Sequence, residues 1–125
     1  MADHHDTEKG KVTLGQDGIV EIGWVPGAEL HEADVEELLV LMAEVAPRRR
    51  RVLVHADGVR SISRRALVRT TNHPGVEHTL CVAILVGSPV SRMLGNFFLS
   101  VSRPDYPTSL FTAEPDARGW LLEVV

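Results

Sequence analysis

The amino-acid sequence predicts an α/β fold with a mixed, mainly parallel sheet of about five strands, an N-terminal hairpin and four helices. One observation is the unbroken apolar run over residues 80–86, which is typical of a strand covered on both faces. Another is the amphipathic helix that follows this run after a turn of only Gly87, Ser88 and Pro89. The third is the predicted order β-β-α-β-α-β-α-β-α, in which strand–helix alternation implies parallel pairing and right-handed crossovers.

The first half of the chain starts with the predicted hairpin, which covers residues 11–25 and turns at residues 15–18. A helix over about residues 30–46 follows, because its apolar side chains keep helical spacing and acidic residues crowd its first turns. Pro47 ends this helix. Its predicted core positions are Val35, Leu38, Leu39, Met42, Val45 and Ala46.

The basic run of residues 48–51 is interpreted as a solvated loop whose charge faces the C-terminus of that helix. A strand over residues 51–55 leaves the loop. Ser61 or Ser63 then caps a helix that ends near Asn72. Its predicted inward face consists of Ile62, Ala66, Leu67 and Thr70, and its outward face of Arg64, Arg65, Val68 and Arg69.

The helix after the central strand begins with Ser88 as its cap and Pro89 at its first position. Its predicted apolar face, which would pack on the sheet, consists of Val90, Met93, Leu94, Phe97, Phe98 and Val101. Its predicted outward residues are Arg92, Asn96, Leu99 and Arg103. A short strand over residues 109–111 comes next, and Thr112 caps a last helix. The predicted buried residues of this last helix are Trp120, Leu121 and Val124.

The chain of 125 residues fits a single domain, predicted over residues 11–125, after a disordered polar tail over residues 1–10. Its 13 basic and 17 acidic residues give a formal net charge of −4, which argues against nucleic-acid binding. The one cysteine, Cys81, lies mid-strand and is interpreted as a buried, inert thiol. With no secretory signal and no apolar run long enough to insert into a membrane, the predicted location is cytoplasmic.

Two stretches of the chain resemble the STAS family, the sulfate-transporter and anti-sigma-factor-antagonist domains of which SpoIIAA is the type. The first is VLVHADGVRSISRRAL, residues 52–67, which is similar to the family's strand, Asp-x-Ser-Gly-Val turn and Ile-Asp-Ser-Ser-Gly-Leu helix start. The second is GSPVSRMLGNFF with SLFTAEPDARGWL, which is similar to uncharacterised bacterial STAS-like proteins. The resemblance implies a SpoIIAA-like (STAS) fold and a non-catalytic regulatory or protein-interaction module. The resemblance to this family, together with the frequency of symmetric dimers among soluble proteins, implies a homodimer.

The phosphoserine switch of the family's antagonists is absent at the matching position. Aligned on Ile62, Ser63 takes the place of the family's aspartate, and Arg64 and Arg65 take the places of its two serines. Arginine accepts no phosphate there, and it reverses the sign of the local charge.

The resemblance places docking on the loops and the helix that follow the third strand, and the cationic side chains there suit an acidic protein partner. The candidate partner-binding residues are Arg60, Ser61, Arg64, Arg65, Val68 and Arg69. The alternative interpretation of the same residues is a solvated helix face without a partner.

A binder of a small anionic or lipid-like ligand is the alternative function. Ligands of parallel sheets gather where strands end and helices begin, and free backbone N–H groups there can hold an anion. The candidate ligand-binding residues are Asp57, Ser63, Gly87, Ser88, Ser91 and Arg92, at helix starts around residues 61–63 and 88–92. Plain capping and turn formation is the competing interpretation of these residues. STAS-like folds also resemble the CRAL-TRIO lipid-transfer proteins in architecture, so a lipid-like ligand remains one of the alternatives.

No catalytic residue, metal site or cofactor is predicted. The six histidines show no metal-ligand spacing, and no nucleophile accompanies His55 and Asp57 on their shared strand face. A carboxylate pair suited to acid–base catalysis is also lacking in the pattern. We therefore expect a protein that is not an enzyme.

Overall fold

The computed structural model describes residues 3–102 and 104–125 of the chain. Its strands are β1 (Asp3–Asp6), β2 (Gly10–Leu14), β3 (Ile19–Trp24), β4 (Ala28–Leu30), β5 (Arg50–His55), β6 (Val59–Ile62), β7 (Thr79–Leu85) and β8 (Thr108–Phe111). Its helices are α1 (Glu32–Val45), α2 (Arg64–Asn72), α3 (Pro89–Ser102) and α4 (Glu114–Glu123), with a 3₁₀ turn over Pro74–Val76. Among these helices, none has the length and apolar character needed to span a membrane.

The main sheet has six strands in the order β1-β2-β3-β5-β7-β8. Strands β1, β2 and β3 pair antiparallel, and β3, β5, β7 and β8 pair parallel. Strands β4 and β6 form a separate parallel pair. The predicted mixed, mainly parallel sheet with an N-terminal hairpin and four helices is therefore confirmed, and β1 adds a sixth strand.

The N-terminal residues differ from the predicted disordered tail over residues 1–10. Strand β1 pairs antiparallel with β2, and His4 Nδ1 lies 3.0 Å from Thr13 Oγ1. Main-chain hydrogen bonds can order an edge strand whose side chains are polar, and such pairing leaves no mark in the hydrophobic pattern. Met1 and Ala2 lie outside the described residues.

Helices cover both faces of the main sheet. On one face, α1, α2 and α3 pack over buried side chains such as Val52 and Ile84. On the other face, α4 packs over Leu53 and Cys81 and contributes the fully buried Leu121. Burial raises the pKa of the Cys81 thiol, which keeps it protonated and unreactive as predicted. The four α1 core residues that are fully shielded are among those predicted: Val35, Leu38, Leu39 and Met42.

The basic run before β5 divides between two environments. Arg48 and Arg49 are exposed, as a solvated loop requires. Arg50 instead begins β5 and is only 3% exposed, so the solvated-loop prediction is wrong for this residue. Its Nη1 donates to the Ala46 carbonyl oxygen at 2.7 Å, where the last turn of α1 leaves unpaired acceptors. Arg50 therefore joins the C-terminus of α1 to the sheet.

The last helix begins one residue later than a Thr112 cap would place it. The N-cap of α4 is Ala113, whose side chain cannot cap, and Pro115 lies in the first turn, where its missing N–H has no cost. The ring of the half-buried Trp120 packs on Phe111, with 5.5 Å between the ring centroids. Trp120 thus lies at the margin of the core that Leu121 enters.

Candidate functional site

The residues predicted for an anion site at the ends of β5 and β7 meet in the structure. Asp57 follows β5, and its Oδ1 accepts hydrogen bonds from the Gly87 N–H at 2.6 Å and the Ser91 hydroxyl at 2.9 Å. Ser88 Oγ accepts from the Ser91 N–H at 3.1 Å, as a helix N-cap does. The turn after β5 is thus joined to the start of α3 by a carboxylate.

Asp57 occupies the place that we predicted for an external anion. The N–H groups at the start of a helix attract negative charge, and Asp57 already supplies it. Ser91 is fully buried, and its hydroxyl also lies 3.0 Å from the Ser88 carbonyl oxygen. An added phosphate would meet the charge of Asp57 and donors already in use. The geometry therefore gives the anionic-ligand alternative no support at Ser88 and Ser91.

The other two ligand candidates do not join this cluster of hydrogen bonds. Ser63 caps α2, since its Oγ accepts from the Ala66 N–H at 3.1 Å. Arg92 is exposed on α3. Of the two caps predicted for α2, the structure selects Ser63.

The predicted partner-binding residues lie on two elements. Arg60 and Ser61 belong to β6, whereas the others belong to α2. All of them except Arg69 are exposed: Arg60, Ser61, Arg64, Arg65 and Val68. The outward face predicted for α2 is therefore confirmed for those members.

Arg69 has a role inside the domain. Its Nε lies 2.6 Å from Glu36 Oε2 on α1, and His73 Nε2 lies 3.0 Å from the other oxygen of Glu36. The Arg69 hydrogen bond outweighs desolvation and lowers the pKa of Glu36. Arg69 therefore ties α2 to α1, and its side chain is half-buried rather than fully outward, because a helical wheel cannot show charges on another helix.

The apolar face predicted for α3 does not lie on the sheet as expected. Three of its members form one exposed line along the helix, which we call the α3 stripe: Val90 is 51% exposed, Met93 64% and Phe97 43%. The fully buried positions are instead Ser91 and Gly95. Leu94, Phe98 and Val101 are half-buried, as is Leu99, which was predicted to be outward. Arg103 lies outside the described residues.

Gly95 accounts for this rotation of α3. A Cβ atom there would lie 3.0 Å from Leu110 Cδ2 and 3.2 Å from Val86 Cγ1. A glycine and a serine four residues apart let the helix backbone approach β8 and Val86 closely, because residues at that spacing share one helix face. The larger apolar side chains are consequently turned to solvent. The small residues Ser91 and Gly95 were the feature of the sequence from which this packing could have been predicted.

An apolar cavity of about 140 Å³, the interior cavity, lies between the main sheet and α1, α2 and α3. Its walls are mostly aliphatic and aromatic, and they include Ile22, Leu38, Met42, Val52, Ile84 and Phe98. Left empty, a void of this size costs about 3 kcal/mol, which is a large share of the stability of one domain. The sequence gives no sign of this cavity, because hydrophobic periodicity reports which side chains face inward and not how tightly they pack.

A surface cleft of about 360 Å³ adjoins the interior cavity. Val76, Thr79 and Tyr106 line both spaces, so the cleft lies at one end of the cavity. This end is also the polar one, with the hydroxyl groups of Thr79 and Tyr106. The acidic residues of the cleft are Glu77 and Asp105.

One group among the described residues has metal-like spacing. Single ligand atoms of Glu21, His55 and Glu114 lie within 4.8 Å of one another. The guanidinium of Arg118 lies beside them, 2.5 Å from Glu21 and 3.0 Å from Glu114. Because Arg118 already supplies the positive charge, these four residues form an ion-pair network, the Arg118 network, that joins β3, β5 and α4.

Acid is expected to destabilise the domain through the Arg118 network. Partial burial raises the pKa of Glu21, but hydrogen bonds from His55 and Arg118 outweigh it, so the pKa lies below its ordinary value of 4.5. Such a carboxylate stabilises the fold above its unfolded-state pKa and loses that effect as the pH falls through its folded-state pKa. We expect Glu21→Gln to cost about 1 kcal/mol near neutral pH, and the cost to shrink as the pH falls below about 4.5.

Urea unfolding at a series of pH values measures this cost. The control is Glu29→Gln, which changes an exposed carboxylate on β4 and should leave the free energy of unfolding unchanged throughout. A cost for Glu21→Gln that is the same at every pH would contradict the assignment.

Comparison with known proteins gives a family and a fold. Residues 13–125 match the family described as Domain of unknown function (DUF7793). An uncharacterised protein of the DUF3478 family from Shewanella loihica PV-4, with a SpoIIAA-like fold, is 14% identical, with a TM-score of 0.60 over 97% of this chain and 92% of that chain. A protein of unknown function from Arthrobacter sp. FB24 is 33% identical over 90% of this chain and 98% of that chain, with a TM-score of 0.36. No curated protein matches the chain. The fold is therefore SpoIIAA-like, and the chain belongs to the DUF7793 family of domains of unknown function.

Proposed function

We propose that this domain is a non-catalytic interaction module that binds an acidic protein surface through the α3 stripe and the exposed arginines of α2. The observation that carries the proposal is the stripe, whose three large apolar side chains are each between 43% and 64% exposed. Single exposed apolar residues are ordinary on protein surfaces, but a continuous line of them is typical of an interaction site.

The arginines lie on the helix next to the stripe. Helices α2 and α3 are joined by the Ser102 hydroxyl, which donates to the Leu67 carbonyl oxygen at 2.8 Å. Arg64 and Arg65 are exposed at the start of α2. An apolar contact with cationic side chains near it favours a partner whose own apolar contact is surrounded by aspartate and glutamate.

The same charges argue against self-association through this surface. In a dimer with twofold symmetry each patch meets its own copy, so the α2 arginines of the two chains would approach one another. Like charges at such an interface are unfavourable. The proposed partner is therefore a different protein, and the proposed homodimer uses another surface. Light scattering of the purified chain measures that oligomeric state.

The arginines also bear on regulation. Arg64 and Arg65 take the positions at which STAS antagonists carry the phosphorylated serine. A serine kinase cannot modify arginine. The proposed module thus binds its partner without a phosphoserine switch at that position.

The experiment that tests the proposal uses a photo-crosslinking amino acid at Met93, expressed in the native host. Leu122 on α4 is 51% exposed and provides the matched control site away from the stripe. We expect Met93 to give a covalent adduct with one protein, identified by mass spectrometry, and Leu122 to give none. The same set of adducts from both sites would contradict a specific interface at the stripe.

The arginines are tested with the partner so identified. We expect Arg64→Glu with Arg65→Glu to weaken binding by at least about tenfold in calorimetry, because the variant places negative charge against an acidic surface. The melting temperature should hardly change, since both side chains are exposed. The control, Arg48→Glu with Arg49→Glu, makes the same charge change in the exposed loop before β5. Equal affinities for the two variants would contradict the proposal, and a large fall in melting temperature would make the α2 arginines structural.

A further inference from the structure

The interior cavity has the size and lining of a small-molecule site that the proposed function does not use. We propose that it binds a small uncharged molecule with a benzene-sized apolar body and one hydroxyl-type head group directed to Thr79 and Tyr106. Apolar cavities of about 150 Å³ stay dry and accept benzene, and this cavity measures about 140 Å³. Water inside would find few partners along walls of Ile22, Met42 and Phe98.

The head group is assigned from the polar end of the cavity. Thr79 Oγ1 is buried and has no hydrogen-bond partner among the described residues. The Tyr106 hydroxyl is 3.5 Å from the Thr70 carbonyl oxygen, which is the long limit for a hydrogen bond. A buried hydroxyl without a good partner carries a desolvation cost that a bound hydroxyl or carbonyl group would remove. These two side chains together offer both a donor and an acceptor.

The charge of the ligand follows from the lining. Among the described residues that line the interior cavity, none is charged, so a carboxylate or an ammonium inside it would be buried without a counter-ion. The cleft that would admit the ligand carries Glu77 and Asp105, which disfavour an anion at the entrance as well. A neutral head group avoids both costs.

The entrance lies between two short segments. The 3₁₀ turn Pro74–Val76 contributes Val76, and the segment between α3 and β8 contributes Asp105 and Tyr106. Thr79, at the start of β7, lies between the cavity and the cleft because it lines both. A ligand entering here would place its apolar body among the core side chains and its head group inside the polar end of the cavity, beside Thr79 and Tyr106. This site is separate from the helix start at Ser88, where Asp57 already fills the anion position.

The test uses four probes that share one apolar body: p-cresol, toluene, 4-methylbenzoate and 4-methylbenzylamine. The full chain is refolded from denaturant to remove any bound molecule and titrated while its backbone amides are followed by NMR. We expect saturable shifts with p-cresol, centred on Thr79, Ile84 and Tyr106. Toluene should bind about fivefold more weakly, which corresponds to one hydrogen bond. The two charged probes should show no saturable binding.

Other outcomes would overturn the proposal. Absence of saturable shifts with both p-cresol and toluene would mean that the cavity is a closed void. Tighter binding of the benzoate or the benzylamine than of p-cresol would refute the neutral head group. Shifts confined to exposed surfaces would place the binding outside the cavity.

Variants separate the head group from the body of the ligand. Thr79→Val and Tyr106→Phe are each expected to weaken p-cresol binding about fivefold and to leave toluene binding unchanged. Thr13→Val, on β2 and outside the cavity lining, is the matched control and should change neither. Equal loss for both probes would refute the assigned contacts. Val54→Phe, which fills part of the cavity from β5, should abolish binding of both probes. If this variant does not fold, the comparison of the four probes on the wild-type chain still tests the proposed site.

Discussion

Replacing Gly58 with alanine is expected to lower the free energy of unfolding by about 3 kcal/mol. Gly58 lies between β5 and β6, where a Cβ atom would be 2.7 Å from the Trp24 carbonyl oxygen and 3.2 Å from that of Val25. Both oxygens belong to the backbone, so no side-chain rotation relieves the overlap. The backbone must move instead, and this disturbs the hydrogen bonds from the Gly27 and Ala28 N–H groups to the Gly58 carbonyl, now 2.8 and 3.1 Å long.

Gly119→Ala is the matched control for this substitution. Gly119 lies within α4, and a Cβ atom there would meet nothing within 4 Å. Alanine favours a helix over glycine, so the control should gain about 0.5–1 kcal/mol of stability while Gly58→Ala loses. Urea unfolding followed by circular dichroism measures both. A loss below about 1 kcal/mol for Gly58→Ala would show that the turn yields without breaking these contacts.

The order of the four helices and of β2, β3, β5, β7 and β8 was predictable because each signal is local, whereas the short strands β4 and β6 were not predicted. The apolar run of β7, the spacing of Val35, Leu38 and Met42 in α1, and the Ser63 cap all involve residues within a few positions of one another. Strand β1 was not predictable in this way. Strand β1 is held in place by main-chain hydrogen bonds to β2, and a polar sequence gives no hydrophobic pattern from which this pairing could be predicted.

The orientation of α3 shows where the hydrophobic pattern becomes ambiguous. Val90, Met93 and Phe97 have the spacing of a core-facing helix stripe, yet a stripe that faces a binding partner has the same spacing. Ser91 and Gly95 decide the matter, since their small side chains allow the closest approach to the sheet. The sequence therefore showed that α3 is amphipathic, whereas the packing of Gly95 on Leu110 and Val86 shows which face is buried.

The pairing of charged groups was the feature of the candidate site that was hardest to predict from the sequence. Arg69 and Glu36 are 33 positions apart, and Asp57 and Gly87 are 30 positions apart. In both cases the fold brings the two groups together, and the chain fills a site that seemed open for a partner or an anion. Predicting the positions was possible from strand ends and helix starts, but predicting their occupancy required the register of β5 with β7.

Removing the carboxylate of Asp57 is expected to cost about 2 kcal/mol of stability and to loosen the start of α3. Asp57→Ala removes the acceptor of the Gly87 N–H and Ser91 hydroxyl hydrogen bonds, together with the negative charge that faces the helix N-terminus. Asp57→Asn keeps one side-chain oxygen and should cost about half as much. The control, Asp105→Ala, removes an exposed carboxylate from the segment before β8 and should cost almost nothing. Urea unfolding gives the free energies, and faster amide hydrogen exchange in the first turn of α3 would locate the effect.

A double-mutant cycle with Ser91→Ala tests whether Asp57 acts through the Ser91 hydroxyl. Ser91 is fully buried whereas Asp57 is exposed, so this hydrogen bond is only partly buried, and the double variant should lose about 1 kcal/mol less than the sum of the two single losses. Additive losses would mean that the carboxylate of Asp57 does not act through the Ser91 hydroxyl. A separate titration of the wild-type protein with inorganic phosphate tests whether the N–H groups are open: saturable binding at Gly87 and Ser88 would give the anionic-ligand function its site again. Coupled losses with no phosphate binding would mean that the chain supplies its own anion there, and the α3 stripe and the interior cavity would remain the two proposed binding sites.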